Sequence, residues 1–159
     1  MYPKHHIIFG LVFSVLLFLL FPVIGISGAL IVFFSSFLID VDHYIGYAIK
    51  NKDWNLKNAI KWHSNHLDEV MKMSRAKRNI HPSSVFFLHG FEVLLILLLL
   101  SILVSKLFFF VLTGFTFHLM LDTIYATKIH DRLDKLSIIY DFLKFKKLRN
   151  INDTKKKGK

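Results

Sequence analysis

The sequence predicts an all-α fold: an integral membrane bundle of four spans in two hairpins, with a basic connection and a C-terminal amphipathic helix. Three observations predict it. Hydrophobic residues make up 53% of the 159 positions and the mean hydropathy is +0.46, more apolar surface than a soluble domain of this size buries. The chain carries no charge from Ile7 to Ile39. The basic residues are gathered into two blocks, one between the second and third apolar runs and one at the C-terminus.

Taken in order, the chain divides at its breakers. Residues 7–49 are too long for one span of about 20 residues and suit two, about 7–24 and about 28–49, with Pro22, Gly25 and Gly28 supplying the turn. The run continues too far for a cleaved leader, and Phe21 to Gly25 lacks a small-residue cleavage pattern. Residues 50–82 form a basic extramembrane connection in which Trp54 and Trp62 suit the headgroup level. A third span is expected at about 83–104 and a fourth at about 107–126, joined through Ser105 and Lys106. In the tail, 131–159, Leu133, Leu136, Ile139, Tyr140 and Leu143 recur near helical spacing between lysines, which predicts a helix lying on the membrane surface. It ends in a lysine-rich stretch expected to be unstructured.

The formal charge is +10, from 21 Lys and Arg against 11 Asp and Glu. In a membrane chain such an excess marks cytoplasmic loops and contacts anionic lipid headgroups, which argues against nucleic acid as the partner. The connection and the tail therefore predict a cytoplasmic face for both termini, in the inner, cytoplasmic membrane of a cell. No cysteine is present, so disulfides and thiolate metal sites are excluded.

Within the spans the ionisable residues are few, and they pair at helical spacing: Asp40, Asp42 and His43 on the second, His89 and Glu92 on the third, His118 and Asp122 on the fourth. At about 1.5 Å per residue they fall roughly 18–24 Å inward from the outer turns, in one layer. His6, or its neighbour His5, closes that layer from the first span. Ionisable groups in lipid are costly unless paired or metal-bound, so the cluster is a functional-site expectation. A carboxylate and an imidazole from each of several facing helices is how bundles hold one or two divalent cations. The donors His6, Asp40, Asp42, His43, His89, Glu92, His118 and Asp122 suit zinc first, with manganese or iron as alternatives. Asp42 and Glu92 are the expected general bases beside a metal-activated water. As alternatives, the same donors would serve a metal or proton carrier, against which four short spans with no evident broken helix or paired repeat count, or a metal that only staples the helices. His63, His66, His81 and His130, in the polar segments, are expected to be solvated, with His81 the reserve ligand.

Three motifs carry a resemblance to a known family: His6-Ile7-Ile8-Phe9-Gly10 near the start, Asp40-Val41-Asp42-His43 at the end of the second span, and Gly114 to Asp122, which reads Gly-x-x-x-His-x-x-x-Asp. They resemble the YdjM-like family of membrane-bound, predicted metal-dependent hydrolases, in order and topology over most of residues 5–125. Ile39 stands where that family usually has Pro, and its His-Arg-x-x-x-His-Ser motif has no clean counterpart, His89 standing for the second His. The resemblance implies hydrolase activity; the metal-activated water predicts attack on an ester or phosphoester, and a cluster just below the cytoplasmic headgroups predicts a lipid or other amphipathic molecule at the cytoplasmic leaflet as the substrate class.

Overall fold

The computed structural model describes residues 2–81, 86–130 and 136–157, and every regular element among them is helical. The helices are α1 (Pro3–Leu20), α2 (Gly25–Leu38), α3 (Val41–Asn51), α4 (Leu56–Lys72), α5 (Arg75–Ile80), α6 (Phe91–Leu103), α7 (Leu107–Tyr125) and α8 (Ile138–Lys157). Among the described residues, three stretches are long and apolar enough to cross a membrane: Pro3–Leu20, Pro22–Asn51, which runs through α2 and α3, and Leu107–Lys128. This is the architecture of a helical membrane protein.

α1 and α2 form a hairpin closed by Pro22–Ile24, where Gly25 takes φ +66°, a left-handed conformation that suits glycine. α7 packs along α2, and α1 and α6 pack beside them. The α2–α7 contact is close because it is built from small residues: a Cβ on Gly114 would stand 2.6 Å from the Val32 carbonyl and 2.7 Å from Ser35 Cβ. Gly10 of α1 faces Ser36 of α2 in the same way. Polarity runs opposite to that of a soluble domain. His6, Ser14, Ser36, Asp42, His89, His118 and Asp122 are buried, whereas Leu20, Ile26, Ile102 and Leu103 are exposed. Apolar tails outside and polar groups inside is the arrangement lipid favours.

Two expectations change. The helix expected from about 83 begins only at Phe91 and holds 13 residues. At about 1.5 Å per residue it is near 20 Å long, shorter than the roughly 30 Å hydrocarbon layer. Gly90 before it is extended, and the Leu88 amide donates to Asp42 Oδ2 at 3.0 Å, so a tertiary bond holds this segment out of the helix its apolar composition favours. Residues 83–85 of the expected span lie outside the described residues. The second span is also interrupted: a turn at Ile39 and Asp40 separates α2 from α3, with the amides of Asp40 and His43 bonded three residues back, to Phe37 and Asp40.

α4 lies against α3. Asp53 organises the corner between them, accepting from Tyr47 Oη at 2.6 Å, the Asn55 amide at 2.9 Å and Asn58 Nδ2 at 2.9 Å. Those donors, Tyr47 first, hold its carboxyl below the usual range. Asn55 then caps α4 by accepting from the amides of Lys57 and Asn58. The basic connection is thus an ordered pair of helices, and Tyr2 Oη ties α1 to it through Asp68 Oδ1 at 2.7 Å. In α8 the docked residues are Asp141 and Phe145, while Ile139, Tyr140 and Leu143 face outward. Leu133 lies outside the described residues. α8 continues to Lys157, into the stretch expected to be unstructured, and Gly158 and Lys159 lie outside the described residues.

Candidate metal centre

Five places in the chain deliver the cluster: the start of α1 (His6), the α2–α3 turn (Asp40), the first turn of α3 (Asp42, His43), the bend before α6 (His89), and one face of α7 (His118, Asp122). Each imidazole of the central pair is oriented from behind. His118 Nδ1 lies 2.8 Å from the backbone carbonyl of Ser36, which can only accept, so Nδ1 carries the proton. His89 Nδ1 lies 3.0 Å from Asp42 Oδ2 and donates for the same reason.

Both Nε2 lone pairs are thereby turned inward, and they face each other at 3.2 Å. Asp40 Oδ1 lies 3.5 Å from His89 Nε2 and 3.6 Å from His118 Nε2. Asp122 Oδ2 lies 3.8 Å and 3.7 Å from the same two atoms. Two imidazole lone pairs and two carboxylate oxygens repel one another unless a positive charge sits among them. A tetrahedral cation bound at about 2.0–2.1 Å separates its donors by about 3.3–3.4 Å, close to the spacing here. The donor set therefore fits a divalent metal.

The remaining members surround these four. His6 stacks on the His118 ring at 3.9 Å, and its Nε2 lies 3.2 Å from Asp122 Oδ1. It is buried and neither of its ring nitrogens makes a well-formed hydrogen bond, as a nitrogen aimed at an ion would not. His43 Nδ1 lies 2.7 Å from Asp42 Oδ1 and 3.6 Å from Asp40 Oδ1. Two trios, His6 with His118 and Asp122, and Asp40 with His43 and His89, each bring donor atoms within 4.8 Å of one another, so the cluster can take one ion or two. His6 rather than His5 belongs to the site.

Two expected roles are corrected. Glu92 is not in the cluster. Its carboxylate accepts from Ser137 Oγ at 2.6 Å and from the amides of Ile138 at 3.1 Å and Ile139 at 3.4 Å. Because α6 starts at Phe91, Glu92 and His89 do not share a helix face, and Glu92 instead caps α8. Asp42 stands one layer behind the donors: both of its oxygens accept from imidazoles, the arrangement by which carboxylates fix the rings that bind a metal.

The sequence reading missed how the polar connection reaches the site. His63 Nε2 lies 3.0 Å from the His43 carbonyl, His66 stacks on Trp62, and His81 approaches His66 edge-on at 5.8 Å. His63, His66 and His81 are partly buried rather than solvated, and the side chain of His130 lies outside the described residues. The signal was present as an amphipathic face: His63 and His66 lie one turn apart on α4, beside Trp62. Burial pushes the His66 imidazole below its ordinary value, Lys50 adding to the shift and Glu69 opposing it.

Fold and site together define a helical membrane protein whose buried imidazoles and carboxylates can hold a metal ion. Compared with family models, with curated proteins and with solved structures, the chain matches none.

Proposed function

We propose that this protein is a membrane-embedded, metal-dependent hydrolase of an ester or phosphoester carried by a lipid or other amphipathic molecule at the cytoplasmic leaflet. One observation carries the proposal: the inward lone pairs of His89 and His118 meet at 3.2 Å with the carboxylates of Asp40 and Asp122 beside them. The motif resemblance to the YdjM-like family supports hydrolysis as the reaction. α6 together with the segment that leads into it completes a fourth crossing, and the positive-inside bias sets α4, α5 and the cluster toward the cytoplasm.

His89, His118, Asp40 and Asp122 would hold a divalent cation, zinc first, and such an ion would supply a water that ionises near neutral pH. The chain's own residues do the rest. Asp42 holds the proton of His43 on Nδ1, which leaves Nε2 basic on the opposite edge of the ring. His43, rather than Asp42 or Glu92, is then the residue placed to carry protons between the cluster and the adjoining cavity, while Asp42 orients it. His6, stacked on His118 with its Nε2 3.2 Å from Asp122 Oδ1, is a further nitrogen within reach of the ion. The basic connection and tail gather anionic headgroups.

The test is metal analysis of the purified protein together with hydrolysis of a short-chain phospholipid. The proposal expects a bound divalent metal, turnover that a chelator stops, and loss of turnover with retained metal in His43→Gln. Turnover unaffected by chelation would sink it. The interrupted helix at Ile39 and Asp40 favours a second reading, a metal or proton carrier, since broken spans commonly line transport sites. Metal uptake into sealed vesicles without any hydrolysis would favour that reading.

A further inference from the structure

Beside the cluster, between α3 and α4, lies a cavity of about 200 Å³ lined by His43, Gly46, Lys50, Trp62, His63 and Phe86. We infer that this cavity is the chamber that receives a phosphate group joined to an apolar body, with Lys50 as its counter-charge and Gly46 as the residue that keeps it open. What becomes of the ligand there rests on the hydrolase reading, whereas the binding itself does not.

Placement comes first. His43 is a wall shared by cavity and cluster: its Nδ1 bonds Asp42 Oδ1 at 2.7 Å and lies 3.6 Å from Asp40 Oδ1, and its ring stacks on Phe86 at 3.7 Å. Anything held in the cavity lies against a ring that touches the cluster. The walls divide by chemistry. Phe86, Trp62 and Tyr47 offer aromatic faces, and Lys50 brings a cation, its Nζ 5.2 Å above the Trp62 ring. An anion attached to an apolar moiety meets both needs. The volume suits a headgroup, leaving acyl chains outside among the exposed apolar side chains of the spans.

Gly46 supplies the independent observation. It sits in the interior of α3, where glycine is a poor helix former relative to alanine. Its φ is not positive, and a Cβ added there would meet no atom within 4 Å. By contrast, Gly10, Gly28, Gly90 and Gly114 are each crowded by a neighbouring side chain or backbone. Neither backbone conformation nor packing requires glycine at position 46. Gly46 lines the cavity, and a side chain there would take up space that is open in the structure.

The experiment uses the full chain, zinc-loaded, in phosphatidylcholine nanodiscs, titrated calorimetrically with dihexanoyl phosphatidic acid and, separately, with inorganic phosphate. Wild type is expected to bind, and Gly46→Leu to weaken binding at least tenfold while keeping its metal. Lys50→Gln should weaken binding severalfold, most at low salt. Gly46→Ala, the milder change, should raise the thermal midpoint while weakening binding, a combination that a packing role for Gly46 does not produce. Tighter binding of the lipid than of phosphate is the expected result, and equal binding would overturn the apolar part of the inference, leaving a site for free phosphate. The inference is overturned if metal-loaded wild type binds neither, or if Gly46→Leu binds as wild type does. A chain that holds no metal yet loses binding on Gly46→Leu would remove the hydrolase reading and leave the chamber standing.

Discussion

The two ends of the helical bundle are built by opposite rules. At the end around Pro22 and Ser105 the chain turns in a few residues, and the neighbouring side chains, Leu20, Val23, Leu103 and Val104, are apolar and exposed. At the other end regular helix gives way at three places around the cluster: the turn at Ile39 and Asp40, the bend over Phe87–Gly90, and the π-turn Ala126–His130 that follows Asp122, while His6, His118 and Asp122 are presented from regular helix. Irregular backbone at membrane depth is tolerated where protein buries it or a polar cavity satisfies it. Here the polar side chains provide that satisfaction, Asp42 accepting the Leu88 amide and Ser36 offering its carbonyl to His118. One end is shaped by lipid and the other by its donors.

Breaking the comparison at its strongest point should have the largest effect. His118→Ala removes one of the inward lone pairs and should abolish stable metal binding, measured by elemental analysis after dialysis. Ser14→Ala, on the same bundle but away from the cluster, should leave metal content unchanged. Next in size is Asp42→Asn, which keeps the shape but weakens the orienting of His89 and His43. Metal affinity should fall about 10–100-fold in a competition titration with a chromophoric chelator.

The packing that brings the two ends into one bundle can be tested at Gly114. Gly114→Val would push Cβ and its methyls into the Val32 carbonyl and Ser35, a cost of about 1–3 kcal/mol seen as a lower thermal midpoint. A smaller effect is expected at Glu92. Glu92→Ala removes the cap on α8, about 1 kcal/mol of docking, and should speed proteolysis of the tail while leaving metal content intact. A fall in bound metal in Glu92→Ala would return that carboxylate to the cluster.

The smallest predicted effect is a pH response outside the cluster. The imidazole of His66 is held below its ordinary value of about 6.5 by burial, so the unfolded chain binds more protons than the folded one between the lowered value and about 6.5. Stability therefore rises with pH through that window and is lost as pH falls through it. The groups facing His66 are Glu69 and Lys50, with Trp62 and His81 against its ring. In a Trp54→Phe background the emission of Trp62 should report the transition below about pH 6.5, and His66→Asn should remove it.

Much of this was legible in the sequence because lipid leaves few options. An uncharged run from Ile7 to Ile39 can only be membrane helix, and carboxylates and imidazoles spaced along such runs have to meet one another. That logic located His6, Asp40, Asp42, His43, His89, His118 and Asp122 in one place. It failed for Glu92 because it assumed that the apolar segment before Phe91 was helical, whereas residues 86–90 are not, with Gly90 extended and the Leu88 amide bonded to Asp42. A helix register read from spacing cannot anticipate a tertiary bond that stops the helix. Nor does spacing distinguish a donor from the residue that orients it, so Asp42 read as a ligand although both its oxygens face imidazoles. The histidines of α4 were read as solvated because their segment is polar, and only the packing of α4 against α3 brings His63 to the carbonyl of His43.

The central claim is that the lone pairs of His89 and His118 converge with two carboxylates because a cation belongs between them. X-ray absorption at the metal edge, on wild type reconstituted with zinc, tests it most directly. The account predicts a nitrogen and oxygen shell at about 2.0–2.1 Å with imidazole scattering that weakens in His118→Ala. A protein that takes up no metal, or one whose spectrum is the same with and without His118, would contradict it.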